Sequence, residues 1–270
     1  MMAKRPVAMT IAGSDSGGGA GITADLKTFE AHGVWGTVAV VAVTAQNTLG
    51  VQGFEPLSPA LVRAQVESVA TDIGLDAAKT GMLATAELVA TVAGAVRDLG
   101  VGNLVVDPVF VSKHGDTLLA DDAVGALREE LLPLATVVTP NLPEAAALAG
   151  GAIDGRAGME AAARTLAALG PAVVLVKGGH LGGDESPDCL VVDGEVRWLE
   201  GSRIAGRHTH GTGCVLSAAV TAELARGMEP ADACVAAKRF IEKAIAAGVD
   251  LGGGVGPVDP GWERALTPTA

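Results

Sequence analysis

Aromatic side chains are scarce in this chain: among its 270 residues there is no tyrosine, and four phenylalanines and three tryptophans make up 3%. Alanine, valine and leucine must therefore fill the core, and an apolar content of 49% is enough for a sizeable one. Cysteine is sparse as well. Cys189, Cys214 and Cys234 are too few and too scattered for a disulfide framework or a zinc site. Positive charge is short too, with 19 Lys and Arg against 31 Asp and Glu, a net −12. That balance argues against a nucleic-acid partner and against an anionic membrane surface. Phosphates must then be bound locally, by amides, a metal ion and a few cations. The apolar runs TVAVVAV and PAVVLV fall far short of the roughly 18–20 residues of a membrane span. No signal-peptide pattern opens the chain, and a reducing cytoplasm is the expected location.

What is present is an alternation. Apolar runs of strand length exchange with segments of helical period, the signature of a parallel sheet with crossover helices. The pattern predicts strands near 6–12, 37–43, 76–79, 103–107, 136–139 and 172–177. Helices are predicted near 22–32, 58–72, 85–99, 120–131, 143–149, 157–169, 212–227 and 230–248. In CLVVDGEVRWLE, Asp193-Gly194 between two alternating runs predicts a small β-hairpin. No repeat or composition break divides residues 1–270, so one α/β domain is expected.

Nearly every predicted parallel strand is followed at once by a polar cluster: AGSDSGG, TAQN, TGM, DPV, TPNLPE and KGGH. In an open α/β sheet the carboxyl ends of the strands line one edge, where ligands bind. Asp15, Gln46, Asp107, Asn141, Glu144 and Lys177 should therefore converge on one rim. Asp107 and Glu144, with Asn141 nearby, suit a magnesium ion held mostly through water. For Glu144, three residues after Asn141 at a helix start, helix capping is an equally open reading.

Three glycine-rich loops compete for phosphate. AGSDSGGGAG (12–21) is no Walker A loop, because neither Lys27-Thr28 nor Lys79-Thr80 follows a glycine. It is also a poor dinucleotide fingerprint, since Ile22 stands where Gly17-x-Gly19 should be followed by a third glycine. KGGH (177–180) sets Lys177 beside two glycines. THGTGC (209–214) precedes a convincing helix, so the amides of Gly211, Thr212, Gly213 and Cys214 should lie at a helix N-terminus and favour an anion. The same position should lower the Cys214 pKa. Cys189 and Cys234, each inside an apolar run, are expected to be buried and inert. His180 and His210 are read as loop residues near phosphate or substrate, since no two histidines have metal-ligand spacing.

Together AGSDSGGGAGITADLKT, TAQNT, TGML, DPVFVSKHGDTLL, TPNLPEA, VLVKGGH, HTHGTGCVLSAA and the tail GGGVGPVDP resemble the hydroxymethylpyrimidine and phosphomethylpyrimidine kinases of thiamine biosynthesis, within the ribokinase-like superfamily. The resemblance runs in order from about residue 8 to 260. It implies a three-layer ribokinase-like fold, with a central, mostly parallel sheet flanked by helices. It also implies ATP- and Mg²⁺-dependent phosphorylation of 4-amino-5-hydroxymethyl-2-methylpyrimidine and then of its monophosphate. By the same resemblance Gly13 and Asp25 lie near the hydroxymethyl end, Gln46 bonds the aminopyrimidine edge, and Met82 and Val109 pack on the ring. Asp107, Asn141 and Glu144 belong to the magnesium and phosphate network, and Lys177 contacts ATP phosphates. Gly211, Thr212, Gly213 and Cys214 form the anion hole, with Cys214 accepting the hydroxyl proton. Segment 110–118 is implied to be a lid, and a homodimer is expected. Departures are Thr23 and Phe110, where the family commonly has Gln and Met. Ser112 stands where a related pyridoxal-phosphorylating branch carries a cysteine. Pyridoxal kinase and a non-catalytic precursor-binding protein remain the rival readings.

Overall fold

The structure, a computed structural model, describes residues 4–110 and 122–265. Eight strands form one sheet in the order β10-β9-β8-β7-β6-β5-β1-β2. They are β1 (Val7–Ala12), β2 (Trp35–Val40), β5 (Ala77–Thr80), β6 (Leu104–Val106), β7 (Val137–Val138), β8 (Val173–Val176), β9 (Asp188–Val192) and β10 (Glu195–Leu199). The strands from β2 to β8 are parallel; β9 and β10 extend the sheet antiparallel. The expected α/β class and the predicted hairpin are both there.

Alternate residues along each strand serve two cores. Met9, Ile11, Ala78, Val106, Val138 and Val174 pack against α2 (Pro59–Asp72), α3 (Ala86–Asp98), α5 (Leu142–Ala149) and α6 (Gly155–Ala167). Ala8, Ala77, Val105, Val137 and Val173 face the other way, onto α1 (Gly21–Ala31), α7 (Thr212–Ala225) and α8 (Pro230–Ala246). This is why the strands read as continuous apolar runs: both faces are covered. Helix α7 is buried on every side from Val215 to Ala225, so it carries no polar stripe. Ser58 and Thr85 cap α2 and α3 by accepting the amides of Leu61 and Leu88.

Two predicted elements differ. The run near 37–43 is divided: β2 ends at Val40, and the chain leaves the sheet at Ala42 to form a separate hairpin, β3 (Ala42–Asn47) with β4 (Gly50–Pro56). An unbroken apolar string hides that exit, because the buried Val41 and Ala42 look like more strand. The described part of the helix near 120–131 is irregular. It passes from α4 (Ala123–Ala126) through π turns (Leu127–Leu131) into a 3₁₀ turn (Leu132–Leu134), where Pro133 lacks the donor that would continue an α-helix. The short α9 (Trp262–Ala265) closes the described chain.

The β9–β10 turn places Asp193 at φ 51° and Gly194 at φ 77°, as a two-residue hairpin turn requires. Asp193→Val, which forces a β-branched residue into that region, should lower unfolding stability by about 1–3 kcal/mol. An unchanged urea midpoint would show that the turn relaxes without strain.

Candidate active site

The loop after β1 is shaped by one carboxylate. Buried Asp15 accepts the amides of Gly17 (2.8 Å), Gly19 (3.1 Å) and Ala20 (2.8 Å). Its Oδ2 also lies 2.8 Å from Nε2 of His210, which is buried. Burial by itself would raise the Asp15 pKa; the hydrogen bond with His210 and the loop amides outweigh it and hold the carboxyl below its usual value. The loop is packed backbone to backbone against the late glycine loop: Gly211 has φ 80°, and a Cβ there would stand 1.8 Å from the Gly19 carbonyl oxygen.

The β3–β4 hairpin covers this loop as a flap. Ser16 Oγ donates to the Gln46 carbonyl and accepts its amide, both at 2.8 Å. Ser14 Oγ accepts the Thr44 amide at 3.0 Å. Half-buried Gln46 places Nε2 3.5 Å from Nε2 of His210, so it reaches the rim from the flap and not from the end of a sheet strand. Gly13 and Met82 are neighbours: a Cβ on Gly13 would meet Met82 Sδ at 3.1 Å. Val109 is half-buried just beyond Asp107, its amide bonded to the Asp107 carbonyl oxygen.

The opposite side of the rim is charged. Lys177 Nζ lies 3.1 Å from Asp107 Oδ1, Thr139 Oγ1 donates to the same oxygen at 3.3 Å, and Ser217 Oγ donates to Oδ2 at 3.1 Å. Burial would raise Asp107, but Lys177 and then Lys79 hold it below its usual value. Burial would likewise lower Lys177, and Asp107 and Glu144 raise it. Asn141 and Glu144 do form a capping box at the start of α5, with side-chain to amide distances of 2.9 and 2.8 Å. Glu144 is nevertheless buried beside Asp107. Burial, opposed by Lys177 and reinforced by Asp107, pushes its pKa from 4.5 up to about 7. Two buried acids against one lysine leave room for a cation's charge. Among the described residues no group of three or more His, Cys, Asp and Glu could cage a metal. Asp107 and Glu144 are the two acids that could hold a largely hydrated Mg²⁺, which needs few protein ligands.

Helix α7 begins at Thr212, whose Oγ1 donates to the Thr209 carbonyl at 2.7 Å. A Cβ on Gly213 would stand 3.4 Å from Lys177 Nζ and 3.8 Å from Asp107 Oδ2, which puts the amide nest against the charged side of the rim. The expected acidic Cys214 is corrected here. Burial, partly opposed by Lys79, pushes the thiol up to about 12, so desolvation outweighs the helix N-terminus. Asp25 is fully buried, bonded to Lys79 and to Thr10 Oγ1. Cys189 and Cys234 are buried, as expected. His180 lies exposed on its loop. Segment 111–118 of the implied lid, with Ser112, is outside the described residues.

Asp15, Gln46, Asp107, Asn141, Glu144 and Lys177 thus meet along one edge, with Gly211 to Cys214 between them. Sequence reasoning missed Ser217, the His210–Asp15 pair and Lys79. A lysine inside the buried strand AAKT was a readable signal for the last.

A family model described as phosphomethylpyrimidine kinase matches residues 15–259. The chain belongs to this family. A hydroxymethylpyrimidine/phosphomethylpyrimidine kinase of Streptomyces coelicolor is 53% identical over 95% of both chains. One of Rhizobium meliloti is 51% identical, covering 93% of this chain and 96% of that one. The ADP complex of Bacillus subtilis pyridoxal kinase superposes with a TM-score of 0.91 at 41% identity, covering 98% of this chain and all of the other. A Clostridium difficile phosphomethylpyrimidine kinase gives 0.79 at 40% identity, with 89% of this chain and 100% of that chain covered. The family's ribokinase-like architecture is thus present here, and no helix among the described residues is long and apolar enough to cross a membrane.

An acid whose pKa is higher in the folded than in the unfolded chain favours folding while it is protonated. That contribution from Glu144 is lost as pH rises from its unfolded value, near 4.5, through about 7. The ligand-free protein should therefore melt at lower temperature at pH 8 than at pH 5, and Glu144→Gln should flatten that fall. Identical melting curves against pH for the two proteins would show that Glu144 is not held protonated. Gly211→Ala should abolish turnover, because the added methyl collides with the Gly19 carbonyl; a variant of full activity would mean the two loops separate easily.

Proposed function

We propose that the protein transfers the γ-phosphoryl group of ATP to the hydroxymethyl oxygen of 4-amino-5-hydroxymethyl-2-methylpyrimidine, and then phosphorylates the monophosphate to the pyrophosphate, for thiamine biosynthesis. One observation carries this reading. The amide nest that opens α7 stands between the Lys177–Asp107 pair on one side and the flap-covered β1 loop on the other. The curated kinases of S. coelicolor and R. meliloti bear this pair of activities in their names.

Phosphoryl transfer needs in-line positioning and neutralisation of charge more than covalent chemistry. Gly13, Gln46 and Met82 would hold the pyrimidine over the β1 loop, with Gln46 bonding its amino edge and Met82 and Val109 packing on the ring. Lys177 and the amides of Gly211, Thr212, Gly213 and Cys214 would hold the phosphates, where preoriented donors act most strongly. Bound between Asp107, Glu144 and the nucleotide, Mg²⁺ would supply charge neutralisation of the phosphates. As the acceptor oxygen bonds phosphorus and the bond to ADP breaks, the hydroxyl proton passes to the Cys214 sulfur. Because burial holds the Cys214 thiol protonated, at about 12, it must first release its own proton to solvent, and the sulfur then takes the hydroxyl proton. Proton transfer should accordingly be late.

The second step differs chemically. A phosphate monoester has its second pKa at about 6, so its acceptor oxygen carries no proton at neutral pH and needs no base. Cys214→Ala should thus lower turnover of the alcohol by about 10²-fold or more. Turnover of the monophosphate should fall far less, and binding of the pyrimidine should hold. Equal losses in the two steps would remove Cys214 as the proton acceptor.

Steady-state ADP formation with the alcohol, its monophosphate and pyridoxal tests the whole reading. The alcohol and monophosphate should be preferred. Preference for pyridoxal would transfer the assignment to the activity named for the B. subtilis structure, and no ADP with any acceptor would leave a binding protein. Gln46→Leu should weaken pyrimidine binding by about 1–3 kcal/mol; an unchanged titration would turn Gln46 away from the ring. A homodimer belongs to the same proposal, supported by the exposed Val43, Leu49 and Phe54 on the flap and measurable by sedimentation.

A further inference from the structure

Lys79 and Asp25 form an ion pair sealed from solvent. Both side chains are fully buried, and Nζ lies 3.0 Å from each carboxylate oxygen. Thr10 Oγ1 donates to Oδ2 at 2.6 Å. Such a pair contributes little to stability by itself, since replacing it with apolar residues of similar volume is often neutral or better. Nearby positions on the same sheet face, Ala8, Ala77 and Val105, are apolar. Packing requires volume at this place, but it does not require charge.

The location gives the charge a use. Thr10 and Lys79 are register partners on β1 and β5, on the face that carries α1 and α7. Helix α1 starts at Gly21 and α7 at Thr212, and the two N-termini adjoin where Gly211 meets Gly19 and Ala20. Cys214 lies in the first turn of α7, on the core face that carries the pair. The ammonium reaches up to the turn after β5, where a Cβ on Gly81 would stand 3.4 Å from Nζ. The charged groups that act on Cys214 are Lys79 from β5, Lys177 after β8, Asp25 from α1 and Asp107 after β6. Among the influences opposing burial of the thiol, the charge of Lys79 is the largest.

We propose that Lys79 is a positioning residue: Asp25 and Thr10 hold its ammonium as a fixed positive charge beneath the amide nest, where it favours ionised sulfur on Cys214 and negative charge on the phosphoryl group in transit. The inference rests on the phosphoryl-transfer reading of the site. Lys79 touches neither acceptor nor nucleotide and acts through the field and through Cys214. A charge already oriented in a water-poor site needs no reorganisation when the transition state forms. Asp25 has a distinct part. Burial would strip a lone lysine of its proton, and the facing carboxylate outweighs that tendency, pushing the Lys79 pKa to about 12.

The test uses the full-length protein, with the rate of iodoacetamide labelling at Cys214 at fixed pH of about 9, kcat and KM for the pyrimidine alcohol, and the melting temperature. The double variant Lys79→Met/Asp25→Leu removes both charges and should stay folded. Lys79 favours the ionised sulfur more than Asp25 disfavours it, so Cys214 labelling should slow by about threefold or more. The variant's kcat should fall by about tenfold or more while KM for the acceptor changes by less than about threefold. A folded double variant with the wild-type labelling rate and kcat would overturn the proposal. Lys79→Arg against Lys79→Gln decides the matter if the double variant does not fold. Arg should keep the wild-type labelling rate and Gln should lower it; equal behaviour of the two would mean that volume, not charge, is what matters. Should the wild type phosphorylate no acceptor, the function above fails, while the labelling rate still decides the role of Lys79.

Discussion

The Asp15–His210 contact, 2.8 Å long and spanning 195 residues of chain, is the constraint on which the site depends. Asp15 gathers the amides of its own loop, and His210 is the residue immediately before the nest that opens α7. Their hydrogen bond fixes the glycine loop after β1 against the one that opens α7. The backbone approach of Gly211 to Gly19 makes the same join without side chains. Transfer between two bound molecules is a matter of distance and line, so the join between the two glycine loops of a kinase site has to be rigid. Here it consists of a buried hydrogen bond and two glycines.

Around that join the charges are arranged in pairs and a surplus. Lys177 answers Asp107, and Lys79 answers Asp25. Glu144 is the acid left over, and burial, reinforced by Asp107, raises its pKa. An acidic chain can thus bind a polyphosphate: a few cations stand where they are needed, and amides with fixed dipoles supply the rest. The net charge of −12 describes the solvated surface and says little about this rim.

The Cys214 thiol shows two physical effects in competition. A helix N-terminus and two ammonium groups favour the thiolate, yet removing sulfur from water disfavours it more in the ligand-free state. A thiol kept protonated is also less open to alkylation and oxidation, which proceed through the thiolate.

Much was legible along the chain. Strand-length apolar runs determined the parallel sheet, since strands covered on both faces leave no polar alternation, and polar clusters after them located the rim. Asp193-Gly194 determined the edge hairpin through its backbone preference. Other features needed the fold. The exit of the chain at Ala42 into the flap has no local mark, because buried residues on either side look alike. Glu144 caps a helix, as the sequence allowed, but its burial beside Asp107 and Lys177, brought there by different strands, could not be read locally. The ionisation of Cys214, and the pairing of Lys79 with Asp25, were decided by burial and by the charges that the fold brings together. Sequence carries periodicity and backbone preference, which are local; desolvation and charge pairing are set by whatever three-dimensional packing brings near.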